Sequence, residues 1–284
     1  MAELTTDLLI GGLGYAECPR WHAGALWFSD FHSSSVHRLT PDGVLTTVAV
    51  VPGRPAGLAF GPEGDLYVVS SRDRKLLRIA DDGLEEIAVL APYVGGPAND
   101  MVMDAAGRAY IGNFGYDLIG GEPPAPTALL LVEPDGHVSI VAEDLSFPNG
   151  MAITSDGLTL IVAETDASGI TAFVIADDGT LGGRRVRASF ADAGPDGICV
   201  DAHGAVWAAF PLAAELRRID TDGEVTDRIP TPDRWAVACA LGAEDRRTLF
   251  VLTADTDLER LRSGGGSSAF VEVTRVAVPG AGRP

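Results

Sequence analysis

A pattern that recurs six times along the chain constrains its fold more than any other feature. Each copy holds an apolar strand, a tight turn and a second strand with an aromatic or large aliphatic residue near its centre. These central residues, spaced 40, 43, 51, 46 and 43 positions apart, are Trp27, Tyr67, Tyr110, Ile161, Trp207 and Phe250. A period of about 40 to 50 residues built from short strands is typical of propeller blades.

Further short strands run between the copies and meet at Asp-Gly turns, one of them at 222–223. Asp-Gly between apolar runs is a strong hairpin signal because both turn positions need positive φ. We therefore predict an all-β fold, a six-bladed β-propeller with four-stranded antiparallel blades, in a single domain over 1–284. Strand-like segments at 3–10 and 269–278 are expected to meet in one blade and close the ring. Helical periodicity is nearly absent, and 257–268 could form only one turn before its glycines.

Charge, cysteine content and the distribution of apolar residues indicate which partners and which cellular compartment to expect. Acidic residues outnumber basic ones 40 to 21, a formal net charge of −19, which disfavours nucleic acid and anionic membranes. The three cysteines, Cys18, Cys199 and Cys239, have no CxxC spacing and are expected to be reduced and buried. The N-terminus has no basic region before its apolar stretch, and no apolar run approaches the roughly 18 residues of a membrane span. We expect a cytoplasmic protein, monomeric or weakly dimeric.

The repeats allow one position, here called the slot, to be compared between blades. It lies 10 to 12 residues before the central residue, where the strand that lines a propeller's channel begins. In the first five blades the slots carry Glu17, Ala56, Asn99, Asn149 and Asp196. In the sixth blade the nearest residues are Trp235 and Ala236. Two carboxylates and two amides form an oxygen-rich donor set that hard cations prefer, so the converging slots predict one divalent metal ion.

Three slots lie in nearly identical triplets, Pro-Ala-Gly, Pro-Asn-Gly and Pro-Asp-Gly, at 55–57, 148–150 and 195–197. Only the middle residue varies, which indicates that the backbone conformation is the same in the three blades while the side chain differs according to its role. Asn and Asp also favour turns, which is the competing explanation at any one slot. Glu17 has no such preference, and the absence of His and Cys at the slots disfavours a transition metal. We expect Ca²⁺, with Mg²⁺, Mn²⁺, Zn²⁺ or Fe²⁺ as alternatives.

Four segments together resemble the SMP-30/gluconolactonase/LRE-like family, which also includes drug-responsive lactonases. They are 16–31, 97–113, 146–165 and 194–209, and the resemblance extends over nearly the whole chain. The last three segments are fairly specific in combination. The resemblance implies a six-bladed propeller with one divalent cation in its channel and a lactone-hydrolysing activity.

Carried over by motif, the resemblance also assigns roles to slot residues. Glu17, Asn149 and Asp196 match the family's metal ligands, and Asp196 is also the favoured general base. Asn99 and Asp100 match an Asn-Asp pair whose asparagine lies in the metal and substrate pocket. Sugar-lactonase members often carry an arginine two residues before that asparagine, where this chain has Pro97. The replacement widens the expected substrates to less polar or aromatic lactones and to other esters.

The loop after each second strand is expected to reach the same face as the slots. Residues on or beside these loops that could line a substrate pocket are Asn99, Asp100, Asn113, Phe114, Tyr116, Glu164, Phe210, Trp235, Arg54 and His32. This mixture of apolar walls and a few polar groups is typical of small-molecule sites. The alternatives are an exposed loop histidine for His32, a surface ion pair for Arg54, an inter-blade hydrogen bond for Glu164, and loop anchors for the aromatic residues.

We predict ring-opening hydrolysis of a lactone. The cation would polarise the carbonyl, and Asp196 would accept a proton from the attacking water. One alternative is a phosphotriesterase or arylesterase that uses the same metal. A second is a non-catalytic propeller that binds a ligand or protein around a structural metal, since the fold alone does not imply an activity. A third is an isomerase or cyclase that stabilises an enolate.

Overall fold

The computed structural model describes residues 2–263 and 266–282. Within these residues the chain forms six consecutive sheets of four antiparallel strands, one of them extended by a fifth, parallel strand. The prediction of six four-stranded blades is confirmed. No helix in the described part of the chain is long and apolar enough to cross a membrane. A single domain over 1–284 and a cytoplasmic location stay predictions.

Two N-terminal strands precede the first blade, β1 (Ala2–Glu3) and β2 (Asp7–Leu13). Blade one consists of β3 (Ala16–His22), β4 (Ala25–Asp30), β5 (Ser35–Leu39) and β6 (Leu45–Val50). Blade two consists of β7 (Pro55–Phe60), β8 (Leu66–Ser70), β9 (Lys75–Ala80) and β10 (Gly83–Val89). Blade three consists of β11 (Ala98–Met103), β12 (Ala109–Asn113), β13 (Thr127–Val132) and β14 (Val138–Leu145).

The second half of the chain repeats this order. Blade four consists of β15 (Pro148–Ile153), β16 (Thr159–Glu164), β17 (Gly169–Ile175) and β18 (Leu181–Ser189). Blade five consists of β19 (Ile198–Val200), β20 (Val206–Phe210), β21 (Glu215–Ile219) and β22 (Val225–Pro230). Blade six takes β23 (Trp235–Gly242), β24 (Thr248–Asp255) and β25 (Ser268–Arg275) from this half. A six-residue helix, α1 (Leu258–Ser263), stands in the segment predicted to form a single turn.

The N-terminal strands close the ring. Strand β2 pairs antiparallel with β25, with Asp7 opposite Val273, and so becomes the outer strand of blade six. Strand β1 pairs parallel with β22 of blade five. The predicted meeting of the two ends of the chain in one blade is therefore confirmed, and two blades are joined to the N-terminal segment.

Apolar side chains fill the spaces between neighbouring blades. Among the six central residues, Tyr110, Ile161, Trp207 and Phe250 are buried, each at most 3% exposed. The three cysteines are free and buried, as predicted. Burial of these large side chains between sheets explains why the aromatic or aliphatic position recurs in every repeat.

A register shift occurs at the slot in five of the six inner strands. It follows Glu17 in β3, for example, and lies between Pro148 and Met151 in β15. A bulge of this kind bends the strand and re-aims a side chain, so it explains how the slot side chains turn into the channel. In β23 the shift lies between Ala236 and Ala238. The sixth slot is therefore Val237, one residue beyond the predicted position, because sequence spacing does not reveal where a bulge falls.

The glycine after the slot is required by close contact between inner strands. A Cβ at Gly150 would lie 2.5 Å from the backbone nitrogen of Ile198 and 2.6 Å from the Asp196 carbonyl oxygen. The backbone N–H of Gly150 also donates to that carbonyl oxygen at 3.2 Å. The recurring Pro-x-Gly triplet thus holds adjacent blades together directly beside the slots.

Gly150→Ala is expected to lower the free energy of unfolding by about 1–3 kcal/mol, since backbone atoms must move to admit the methyl group. The matched control is Gly182→Ala on β18, where a Cβ would meet no atom within 4 Å. Urea unfolding of both variants measures the difference. Equal stability of the two variants would contradict the close-contact explanation.

Candidate metal and substrate site

The slot residues converge on a cavity in the central channel. Blades one, three, four, five and six contribute to its lining, while blade two, with Ala56 in its slot, does not. The polar side chains of the lining are Glu17, Arg20, Asp100, Asn149 and Asp196. Of the four predicted metal ligands, the structure therefore brings three together here. Asn99 is buried on β11 beside Asp100 but is not part of this lining.

Burial and neighbouring negative charge raise the pKa values of two carboxylates in the cavity. Burial raises the pKa of Glu17 well above its usual range, and the charges of Asp196 and Asp100 raise it further. Burial also raises the pKa of Asp196 to about 7, with a further contribution from Asp100. The pKa of the neighbouring Tyr15 hydroxyl is raised by burial and by Asp196 and Glu17. Carboxylates held close together in a buried cavity favour the binding of a cation.

The amide of Asn149 is held by a short hydrogen-bonded chain. Its Nδ2 donates to Thr165 Oγ1 at 3.1 Å, and Thr165 Oγ1 donates to the carbonyl oxygen of Pro195 at 2.8 Å. Pro195 directly precedes Asp196, so Thr165 connects two of the slots. With its nitrogen engaged in this way, the amide of Asn149 has its oxygen left to act as a ligand.

A buried ion pair forms the inner side of the cavity. Arg20 Nη2 donates to Asp100 Oδ1 at 2.7 Å and to the Met101 carbonyl oxygen at 2.5 Å, while Arg20 Nη1 donates to the Pro19 carbonyl oxygen at 2.9 Å. The two side chains are only 3% and 4% exposed. Asp100 Oδ1 also accepts the backbone N–H of Met101. One oxygen of this carboxylate, Oδ1, is thus engaged by Arg20 and the backbone.

A divalent cation fits this donor set. No three His, Cys, Asp or Glu side chains in 2–263 and 266–282 are arranged to hold a metal by themselves. A cation here would therefore depend on amide oxygens together with carboxylates, which suits a hard ion such as Ca²⁺. The repulsion between Glu17 and Asp196 would be offset by such an ion. Asn99 Nδ2 is buried without a partner among the described residues, so this amide has hydrogen-bonding capacity that no protein group uses.

Phe114, Tyr116 and Phe147 form an aromatic wall on the segments just after β12 and just before β15, at the slot end of blades three and four. The rings of Phe114 and Phe147 are 4.5 Å apart, and the ring of Tyr116 stands edge-on to Phe147 at 6.3 Å. The Tyr116 hydroxyl donates to Asp166 Oδ2 at 3.0 Å. Phe147 precedes the Pro-Asn-Gly triplet of blade four, so this wall adjoins Asn149.

His32 is half-buried beside the same face and is neutral at pH 7, because burial and Arg54 lower its pKa. Its Nδ1 lies 2.7 Å from Ser267 Oγ, which itself donates to the Gly14 carbonyl oxygen. Since the serine proton is used there, Nδ1 must be the donor, which leaves Nε2 as the unprotonated nitrogen. Nε2 is buried and has no hydrogen-bond partner among the described residues.

Several predicted pocket residues instead hold loops in place. Glu164 accepts hydrogen bonds from the backbone N–H of Ser146 and from Thr171 Oγ1. Asn113 Nδ2 donates to the Ala128 carbonyl oxygen at 2.8 Å. Phe210 is fully buried, with the guanidinium carbon of Arg217 4.3 Å from its ring centroid. These residues lie at the ends of second strands, and their side chains contact neighbouring strands and loops.

Trp235 is half-buried at the start of β23, packed against the apolar cluster that contains Tyr15. Arg54 is half-buried as well, and its guanidinium carbon lies 4.6 Å from the ring centroid of Phe31. His32 is therefore not an exposed loop histidine, and the contact of Arg54 is with an aromatic ring and not with a surface carboxylate.

Comparison with known families agrees with this architecture. The model of the SMP-30/gluconolactonase/LRE-like region matches residues 15–255, which is most of the chain. The chain belongs to this family. Among curated members of the SMP-30/gluconolactonase/LRE-like family, a pentonolactonase of Haloferax volcanii is 29% identical over 280 residues, covering 94% of this chain and 92% of that protein.

Solved structures extend the comparison. A gluconolactonase of Xanthomonas campestris is 26% identical with a TM-score of 0.74, covering 94% of this chain and 89% of that one. A protein of Agrobacterium tumefaciens described as a calcium-binding regucalcin is 22% identical with a TM-score of 0.79, covering 98% of each chain. At 22% identity, the similarity to the Agrobacterium tumefaciens protein shows a shared fold alone.

In the present chain, the sequence analysis missed three residues that line the cavity or hold its lining residues in place. Arg20 stands between Pro19 and Trp21 and carries no motif of its own, and Thr165 simply follows a predicted strand. Val237 was displaced by one position from the expected slot. A signal was present for Arg20 and Thr165, since they lie in the segments 16–31 and 146–165, two of the four on which the family resemblance rests.

Proposed function

We propose that this protein is a divalent-metal-dependent lactonase, with Glu17, Asn149 and Asp196 as metal ligands and Asn99 as an additional ligand or substrate contact. The observation that supports this proposal most directly is the cavity in which two mutually repelling buried carboxylates face an amide held by Thr165. The lactonase names of the pentonolactonase and gluconolactonase relatives support the substrate class. The regucalcin described as calcium-binding supports Ca²⁺ as the ion.

When bound, the cation would supply Lewis acidity that polarises the lactone carbonyl and stabilises the negative charge that develops on its oxygen. Asp196 accepts the proton of the attacking water at a carboxylate oxygen and returns it to the ring oxygen as the C–O bond breaks. Arg20 pairs with the Asp100 carboxylate, so Asp100 shapes the cavity without competing for that proton. The aromatic wall of Phe114 and Tyr116 orients the ring and limits the entry of water.

Metal-stripped protein is expected to open no lactone faster than buffer does, and a single added cation should restore turnover. The reason is that no cation then offsets the negative charge that develops on the carbonyl oxygen beside the carboxylates of the cavity. A pH-indicator assay with Ca²⁺, Mg²⁺, Mn²⁺, Zn²⁺ or Fe²⁺ added singly, over sugar, aliphatic and aromatic lactones, measures this. Full activity in chelator would contradict metal dependence. Activity on aryl esters or phosphotriesters alone would favour the alternative hydrolase.

A further inference from the structure

Blade two has Ala56 in its slot and two arginines, Arg54 and Arg72, on the loops beside that slot. Arg54 comes just before β7 and Arg72 just after β8, at the same end of the blade as Ala56. The backbone N–H of Arg72 donates to the Gly53 carbonyl oxygen at 2.8 Å, and that of Ser71 donates to the Arg54 carbonyl oxygen at 2.8 Å. The two loops are therefore held side by side at the slot end of the channel.

Arg54 lies within electrostatic reach of the cavity. Its charge counteracts the raised pKa of Glu17 and lowers the pKa of His32. Its guanidinium rests over the ring of Phe31, a contact that orients the planar group while leaving its edge for other partners. Ala56, the slot residue of this blade, presents a methyl group where four other slots present an oxygen ligand.

Neither arginine is neutralised by an ion pair. Among the residues that the structure describes, no carboxylate forms an ion pair with Arg54 or Arg72. Burial and the charge of Arg72 lower the pKa of Arg54, and Arg72 is exposed on the neighbouring loop. Asp73 on the same loop instead accepts a hydrogen bond from Ser70 Oγ at 2.8 Å.

We propose that Arg54 and Arg72 form a subsite for an anionic substituent of the lactone, such as a carboxylate, sulfonate or phosphate. Guanidinium groups on two loops that are hydrogen-bonded to each other can hold such an anion by paired, charge-assisted hydrogen bonds. In a protein of net charge −19, two uncompensated cations beside the catalytic cavity also favour the approach of an anion to this face. The inference rests on the proposed lactonase function and replaces the less polar substrate expected from Pro97.

The test compares two lactones with the same ring, D-glucono-1,4-lactone and D-glucaro-1,4-lactone, which carry a hydroxymethyl and a carboxylate group respectively. The metal-loaded wild type is expected to prefer the carboxylate by about tenfold or more in kcat/KM. Arg54→Gln should lower kcat/KM for the anionic lactone by about 10- to 100-fold, mainly through KM. The neutral lactone should change by less than about threefold. Arg78→Gln on β9, an exposed arginine paired with Glu85, is the control and should alter neither.

Other outcomes separate this inference from the function on which it rests. Equal loss on both lactones in Arg54→Gln, or a wild-type preference for the neutral ring, would overturn the anion subsite while the lactonase assignment stood. If none of the sugar, aliphatic and aromatic lactones is opened with any cation, the lactonase proposal fails. In that case, calorimetric titration with D-glucarate and D-gluconate measures anion binding directly and tests the subsite independently of any activity. Tighter binding of the dianion, lost in Arg54→Gln, supports it, and equal binding overturns it.

Discussion

Asp196→Asn is expected to lower kcat/KM for lactone opening by about 10²- to 10⁴-fold while leaving the propeller folded. The carboxylate provides charge for the cation and is the proposed acceptor of the water's proton, and a neutral amide provides neither. Steady-state kinetics at saturating metal, with circular dichroism as a check of folding, measure the effect. The matched control is Asp222→Asn, in an exposed turn on the opposite face.

The control should retain wild-type turnover. Wild-type kinetics in Asp196→Asn would remove Asp196 from the mechanism. A moderate loss that excess metal restores would instead leave Asp196 as a ligand and exclude it as the base. These two roles are therefore separable with one variant and one titration.

The same substitution has a second expected effect, on the pH dependence of stability in the metal-stripped protein. The pKa of Asp196 is about 7 in the folded protein and 3.8 for the unperturbed group, so the folded state binds the proton more tightly. The contribution of this group to stability is therefore greatest at low pH and is lost as the pH rises from about 4 through about 7. An asparagine side chain does not titrate, so urea unfolding in chelator should give a flatter profile for the variant. An unchanged slope would indicate that the Asp196 carboxyl is solvated rather than buried.

Arg20→Met is expected to lower the free energy of unfolding by about 3–5 kcal/mol. The substitution leaves Asp100 as an unpaired charge in a buried cavity that already contains Glu17 and Asp196. Urea unfolding of metal-stripped protein measures the loss. The matched control, Arg275→Met, breaks an exposed ion pair with Asp245 and should cost less than about 1 kcal/mol.

A second variant identifies the origin of the loss. Combining Arg20→Met with Asp100→Asn removes both charges and should recover most of the lost stability, because no uncompensated carboxylate then remains at that position. If the double variant is as unstable as Arg20→Met, the role of Arg20 is in packing. If Arg20→Met is as mild as Arg275→Met, the buried pair contributes nothing special to the cavity.

Blade number, strand number and ring closure could all be predicted from the sequence. Each blade is built from local hairpins, and their turns and alternating apolar residues can be recognised within about 45 residues of sequence. Comparison of repeats also located Glu17, Asn149 and Asp196, since equivalent positions on inner strands must point toward one channel. The central residues recur for the same local reason, burial between adjacent sheets.

Only the tertiary structure decided the rest of the site. A bulge moved the sixth slot to Val237, and a shift of one residue reverses the direction of a strand side chain. Glu164 and Asn113 were placed at the correct end of their strands, yet their side chains hydrogen-bond to neighbouring strands and loops, which sequence spacing does not reveal. Arg20 and Asp100 are 80 residues apart and meet only when blades one and three face each other across the channel. Contacts within a blade are encoded by local pattern, whereas contacts across the channel exist only once the ring has closed.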